Sequence, residues 1–256
     1  VSLPAEPLQV SRVLVAGASG DIGGALLRQL AASDIRVGAH FHQHRDRLDA
    51  LASELAWPPD RLQMFGGALD SQAACHALVD QFVGWAGGID ALVQLTGTIT
   101  NPCAWEDLTE AEWSADLQVN LSGPFFLAQR AMFHMRDGGG RVVLMSTGSA
   151  RHGGGRNSLA YGVAKAGIEC LTKGLARDGA ARGILVNAIA PGFIQTQFHV
   201  RRARRDAEAL RKRAELIPLR RAGTPEDVAR LITYILSRGG DYITGECMSV
   251  SGGDWL

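Results

Sequence analysis

The stretch AYGVAKA, Ala160 to Ala166, sets a tyrosine four residues ahead of a lysine. On a helix, Tyr161 and Lys165 would lie on one face, one turn apart. A free phenol has a pKa near ~10, too high for proton exchange at neutral pH. A cation about 4 Å away, at an effective dielectric of ~20, is worth roughly 4 kcal/mol, or about 3 pKa units. That would bring the phenol into the working range of a general acid–base group. A buried tyrosine and a surface lysine on an amphipathic helix would show the same spacing. The surrounding elements decide between the two.

A second candidate is GASGDIG, which gives Gly17, Gly20 and Gly23 between an apolar run and a helical pattern. Such a turn lets the backbone approach a pyrophosphate, and the following helix N-terminus offers free N–H groups. Gly17, Ser19, Gly20, Asp21, Ile22 and Gly23 are therefore candidate dinucleotide contacts. Asp21 reads as a helix-starting residue with its carboxylate turned toward amides. An NAD-preferring site usually has an acid at the tip of the second strand. Here the stretch is HFHQHRDR, without an acid at the tip. His42, His44 and Arg45 are available instead, with His42 and Arg45 taken as the contacts. That favours a 2′-phosphate, hence NADP(H) rather than NAD(H). His40, His42 and His44 alternate, but no Cys or acid completes a metal site, and none is expected.

These groups need a frame. Apolar runs alternate with helical patterns along the chain, including RVLVAGASG, IRVGAHF, LQMFGG, GIDALVQLTG, GRVVLMST, GILVNAIAPG and CMSVSGG. Strand–helix alternation predicts an α/β fold: a single doubly wound parallel sheet of about seven strands with helices on both faces. A capping box, Thr109 with Glu112, should open one long helix reaching about Met135. Asp70 is expected to cap the helix after the third strand. Thr224-Pro225-Glu226-Asp227 should open another helix. With 256 residues, 46% of them hydrophobic, one domain over residues 1–256 is ordinary. Residues 1–10 read as a polar lead rather than a signal peptide. Residues 193–218, which interrupt the alternation, read as a lid.

Composition narrows the function. Twenty-six basic residues balance twenty-six acidic ones, which points to neither nucleic acid nor membrane as partner. No apolar run reaches the ~20 residues that span a bilayer. The four cysteines show no paired spacing, so a reducing cytoplasm is the expected location.

With the glycine turn and the Tyr–Lys pair in place, the chain resembles the short-chain dehydrogenase/reductase family, from Val13 to Gly253. The likeness is carried by GASGDIG, LVQLTG, LQVNLSGPFFLAQ, VVLMST, YGVAK, VNAIAPGFIQT, GTPEDVA and YITGECMSVSGG, in order and in register. The resemblance implies a Rossmann-like fold and interconversion of a carbonyl and a secondary alcohol by hydride transfer. It implies that Tyr161 exchanges the proton and that Lys165 holds the nicotinamide ribose and lowers the tyrosine pKa. It implies that Asn120 holds a water in a proton path, and that Gly97 lets the backbone pass the cofactor. Pro191, Gly192, Ile194 and Thr196 should close over the nicotinamide, and Leu69 should pack on the adenine.

The family's catalytic serine has three candidates here. Thr147 stands at its place counted along the fifth strand, and Ser149 or Ser146 remain alternatives counted back from Tyr161. The usual Asn-Asn-Ala-Gly is Gln94-Leu95-Thr96-Gly97 here, so Gln94 or Thr96 must brace the sheet instead. The pattern resembles 3-oxoacyl-[acyl-carrier-protein] reductases most. A polyol, sugar or hydroxy-acid dehydrogenase and a non-catalytic NADP-binding regulator are the alternatives. Enoyl reductases of the family space their tyrosine and lysine more widely. The substrate should be polar or anionic, because the loop before Tyr161 carries Arg151, His152, Arg156 and Asn157. Acyl carrier protein is a further partner, if the lid arginines 201, 202, 204 and 205 attract it. The resemblance also implies a homodimer or homotetramer.

Overall fold

The computed structural model describes residues 8–135, 138–198 and 206–254. Seven strands form one parallel sheet in the order β3-β2-β1-β4-β5-β6-β7. They are β1 (Arg12–Ala16), β2 (Arg36–Phe41), β3 (Leu62–Gly66), β4 (Ala91–Gln94), β5 (Gly140–Met145), β6 (Ile184–Pro191) and β7 (Cys247–Val250). β1 pairs with β2 on one side (Val13 opposite Val37) and with β4 on the other (Val13 opposite Ala91). The chain reverses direction across the sheet at that point. A crevice therefore opens beyond the carboxyl ends of β1 and β4, where α/β sheets bind ligands.

β1 and β4 are almost wholly buried. Helices cover both of their faces, and the apolar runs answer to that. One core joins Val13, Val15 and Val93 to the helices α1 (Asp21–Leu30) and α2 (Arg45–Glu54) and to Val228, Ile232 and Ile235. The other joins Leu14, Leu92 and Leu144 to α3 (Gln72–Ala86) and to Leu127, Ala131 and Ile168.

The Thr109 capping box is present, with the Thr109 side chain accepting from Glu112 N–H and the Glu112 side chain accepting from Thr109 N–H. The long helix expected beyond it is interrupted. α4 (Glu110–Leu117) passes into a π-helical turn, Gln118–Ser122, before α5 (Gly123–His134). The extra residue in that turn carries Asn120 fully into the interior. Ser71, not Asp70, caps α3 by accepting from Ala74 N–H. The serine hydroxyl reaches the free amides of the first turn, whereas Asp70 lies one residue too early and is exposed.

α6 (Leu159–Gly179) carries the Tyr–Lys pair, α7 (Ala207–Glu215) follows β6, and α8 (Pro225–Leu236) opens on a capping box between Thr224 and Asp227. No described helix is long and apolar enough to cross a membrane.

Candidate active site

Most side chains of the site are delivered by the end of a strand or the first turns of a helix, and Asn120 by the π-helical turn. β1 ends at Gly17, whose φ of +86° only glycine adopts freely. A Cβ there would lie 3.0 Å from Thr96 N, so the turn packs directly against the exit of β4. Below it sits His40, 2% exposed. Its Nδ1 accepts from Gly17 N–H at 3.3 Å, and its Nε2–H donates to Gly67 O at 2.9 Å. Burial lowers the His40 pKa, which suits a neutral ring with one donor and one acceptor. His40 is thus a brace beneath the glycine turn. His42 and His44 are both exposed. Among the described residues no three His, Cys, Asp or Glu gather as a metal site.

Gly23 lets α1 sit close over this turn, because a Cβ there would lie 2.5 Å from Ala18 O. Gly20, the cap of α1, has no capping side chain. The first-turn N–H groups of Asp21, Ile22 and Gly23 are left for an anionic ligand. The glycine turn therefore fits the diphosphate of a dinucleotide. The Asp21 carboxylate does not turn back to its own helix. It accepts from Gln197 N–H at 2.7 Å and from the Arg47 guanidinium at 2.6 Å.

A pocket of about 370 Å³ runs from this turn to the Tyr–Lys pair. Gly17, Gly20, Asp21, Ile22, Gly23, Gly97, Thr147, Tyr161, Lys165, Pro191, Gly192, Ile194 and Thr196 all line it, as the sequence led us to expect. Asn120 lies directly behind the wall. A Cβ on Gly97 would meet Asn120 Oδ1 and Lys165 Nζ, each at 3.2 Å. Asn120 holds the exit of β4 by donating to Thr98 O at 2.7 Å and accepting from Thr98 N–H at 3.1 Å. Gln94, fully buried, donates to Thr96 O at 2.9 Å, so the brace that replaces the family's asparagine is local to this strand end.

The three candidate hydroxyls differ in their surroundings. Ser146 also lines the pocket, but it is buried and its hydroxyl is engaged by Lys165 O (3.0 Å) and Glu169 Oε1 (3.1 Å). Ser149 lies outside the pocket wall, 3.2 Å from Thr147 Oγ1. Thr147 lines the pocket together with Tyr161, and its hydroxyl works to lower the phenol's pKa.

The electrostatics differ from the simple expectation of an acidified phenol. Lys165 is 1% exposed and donates to Met145 O at 2.8 Å, with its Nζ 5.8 Å from the Tyr161 ring centre. Burial pulls its pKa down to about 7. Tyr161 is pushed up to about 12, chiefly by burial; the Thr147 hydrogen bond works against this, and the Asp116 carboxylate adds to it. Desolvation therefore governs the phenol, outweighing the lowering effect of Thr147. Asp116 was not legible as part of the site. It is 4% exposed on α4, and its Oδ1 accepts from Thr100 N–H at 2.8 Å.

Four of the expected contacts do not line this pocket. His42 and Arg45 do not line the pocket; His44 and Arg47 do. Arg45 turns along α2 to Asp49 at 3.4 Å, while Arg47, two residues on, faces the first turn of α1. The helix start at Arg45 sets this, because residues two apart point to opposite sides. Ser19 donates to Gln43 O at 3.3 Å and lines an adjoining cavity of about 630 Å³ rather than the pocket. Leu69 packs on the core under α3 and α5. The pocket also includes Phe198, whose ring centre is 6.0 Å from that of Tyr161. The charged loop before Tyr161 stays exposed at Arg151, His152, Arg156 and Asn157, none of which lines the pocket. The lid arginines 201, 202, 204 and 205 lie outside the described residues. Within α7, Lys212 pairs with Glu208 (2.7 Å) and Arg211 with Glu215 (3.2 Å).

The small residues inside YGVAK now have a reason. A Cβ on Gly162 would lie 2.3 Å from Gly153 O, so α6 and the preceding loop touch backbone to backbone. Gly162→Ala is expected to destabilise the fold by about 1–3 kcal/mol, the usual cost of overpacking. A denaturant melt checks this; an unchanged midpoint would mean that the loop does not pack there.

Comparison with known proteins agrees with this geometry. A family model described as Enoyl-(Acyl carrier protein) reductase matches residues 16–254. An acetoacetyl-CoA reductase of Rhizobium meliloti is 34% identical over 96% of this chain and 100% of its own. A 3-oxoacyl-[acyl-carrier-protein] reductase FabG of Aquifex aeolicus is 32% identical over 96% of this chain and 98% of its own. A short chain dehydrogenase from Burkholderia cenocepacia, solved in complex with NADP, superposes with a TM-score of 0.87 at 28% identity, covering 96% of this chain and 98% of that one. A sheet of this order, the glycine turn at its switch point and the Tyr–Lys pair facing it across one pocket thus stand in a chain that belongs to the short-chain dehydrogenase/reductase family of oxidoreductases.

Proposed function

We propose that the protein is an NADP(H)-dependent carbonyl reductase whose substrates are 3-oxoacyl thioesters. The reading rests above all on one observation: Tyr161, Thr147, Lys165 and Gly97 line a single pocket that continues to the glycine turn. A nicotinamide dinucleotide seated there supplies or accepts the hydride. The Tyr161 hydroxyl donates its proton to the substrate oxygen, and the C=O becomes CH–OH. Thr147 donates a second hydrogen bond to that oxygen. Lys165 keeps Met145 O as one partner and has further N–H groups for the ribose hydroxyls and the phenol. Asn120 fixes the backbone that passes the nicotinamide. Pro191, Gly192, Ile194 and Thr196 close the far wall, and residues 193–218 act as the lid.

Burial keeps the Tyr161 phenol protonated at neutral pH, so the proton for the substrate oxygen is in place. The thioester reading is supported by the relatives that act on acetoacetyl-CoA and 3-oxoacyl carrier protein. The four-residue spacing of Tyr161 and Lys165 favours a carbonyl over an enoyl substrate. Acyl carrier protein as donor belongs to the same proposal. So does a homodimer or homotetramer, supported by apolar side chains exposed on α5 (Phe133) and α6 (Leu159, Val163).

NADP(H) is favoured because the tip of β2 carries no acid, while His44 lines the pocket. NADPH is expected to bind at least about tenfold more tightly than NADH, the size of one good charge-assisted contact. Fluorescence titration with both cofactors tests this, and equal affinity would sink the NADP assignment. A panel of 3-oxoacyl thioesters, sugars and polyols with each cofactor then tests the substrate class. Tight NADPH binding with no turnover on any of them, unaltered by Tyr161→Phe, would instead identify a regulator.

A further inference from the structure

Asp21 is out of place in a phosphate cradle. It is the first residue of α1 and lines the pocket beside Gly20 and Ile22. A carboxylate at a helix N-terminus satisfies the positive end of the dipole. In the same position it opposes any diphosphate that seeks those N–H groups. Asp21 is also only 19% exposed, so solvent screens this repulsion weakly. Among the described residues one cation pairs with it: Arg47, on the first turn of α2, donates to Asp21 Oδ1 at 2.6 Å. The other carboxylate oxygen accepts from Gln197 N–H at 2.7 Å. One acid therefore ties together the glycine turn, the start of α2 and the segment after β6.

We infer that Asp21 restrains dinucleotide affinity, and that Arg47 is a positioning residue that makes the cradle acceptable to phosphate by neutralising that carboxylate. This rests on the reading that a dinucleotide binds at the glycine turn. Two consequences separate it from an ordinary surface ion pair. Loss of Arg47 should harm binding chiefly because Asp21 remains. Loss of the Asp21 charge should repair that harm. Asp21→Asn keeps an oxygen for Gln197 N–H, so the tie to the segment after β6 is retained while the charge goes.

The test is a double-mutant cycle on NADPH dissociation constants, read by nicotinamide fluorescence in the intact protein. Arg47→Ala is expected to weaken binding about tenfold to a hundredfold, the effect of one unneutralised charge at close range. Asp21→Asn alone should bind as tightly as the parent or tighter. The double variant, Asp21→Asn with Arg47→Ala, should recover most of the loss, whereas Asp21→Glu with Arg47→Ala, which keeps the charge, should not. Additive losses, or equal rescue by Asn and Glu, would overturn the inference while leaving the dinucleotide reading intact. A folded parent protein that binds neither NADPH nor NADH would overturn both.

Discussion

Tyr161→Phe is expected to lower kcat for carbonyl reduction by about 10³-fold, within the range that a positioned general acid contributes. The change removes one oxygen and nothing else. Its ring still packs near Phe198, whose centre is 6.0 Å away. The hydroxyl makes no contact that holds the cofactor cradle, which is built from Gly17 to Gly23 on the opposite wall. NADPH affinity should therefore stay within about threefold of the parent, since less than 1 kcal/mol of binding is at stake. The thermal midpoint should hold or rise slightly, because a desolvated hydroxyl is replaced by hydrogen. Activity lost with binding kept locates the effect in proton transfer. A variant that keeps more than a tenth of the parental turnover would show that another group delivers the proton. Thr147→Ala offers the internal comparison. It removes the hydroxyl that works against the upward shift of the Tyr161 pKa and would hold the substrate oxygen, so a smaller loss, about 10- to 100-fold, is expected.

The sequence made some of these residues readable and hid others, for physical reasons. The glycine turn, the Tyr–Lys spacing and the strand–helix alternation are local patterns, and all three stand where the pattern puts them. Caps were legible where a box was complete, as at Thr109 and Thr224, and misread at Asp70, where the next residue was the better cap. The π-helical turn at Asn120 had no local signature, because an inserted residue within a helix leaves the apolar pattern nearly unbroken. His40 and Asp116 owe their roles to partners far along the chain, at Gly17, Gly67 and Thr100. The choice of Arg47 over Arg45 turned on where α2 begins, a boundary that composition does not mark. The acidified phenol was an inference from one charge. The structure adds the burial of both partners, and burial is the larger effect.

That burial makes Lys165 the residue at which function opposes stability most directly. Its side chain is 1% exposed, and no carboxylate pairs with it among the described ion pairs. Its pKa falls from 10.5 in the unfolded chain to about 7 when folded. The sign follows from proton counts: between pH 7 and 10.5 the unfolded state binds the extra proton, so this group's contribution becomes more favourable as pH rises. Below pH 7 the ammonium is charged in both states, and its burial costs the fold about 4–5 kcal/mol. Lys165→Met removes that cost but leaves Met145 O without its partner, a loss of about 1–3 kcal/mol. At pH 6 the cofactor-free variant is therefore expected to be more stable than the parent by about 2 kcal/mol, or roughly 4–8 °C in Tm for a chain of this size. Above pH 10.5 the parent has shed the charge, and the order should reverse by the value of the lost hydrogen bond. Turnover should fall by 10²-fold or more in the same variant, because the phenol and the ribose both lose their cation. Melting curves at pH 6 and pH 10.5, set beside initial rates, decide the matter. A variant that melts below the parent at pH 6 would mean that the ammonium is stabilised in the fold by more than Met145 O, and the account of a destabilising buried cation would then be wrong.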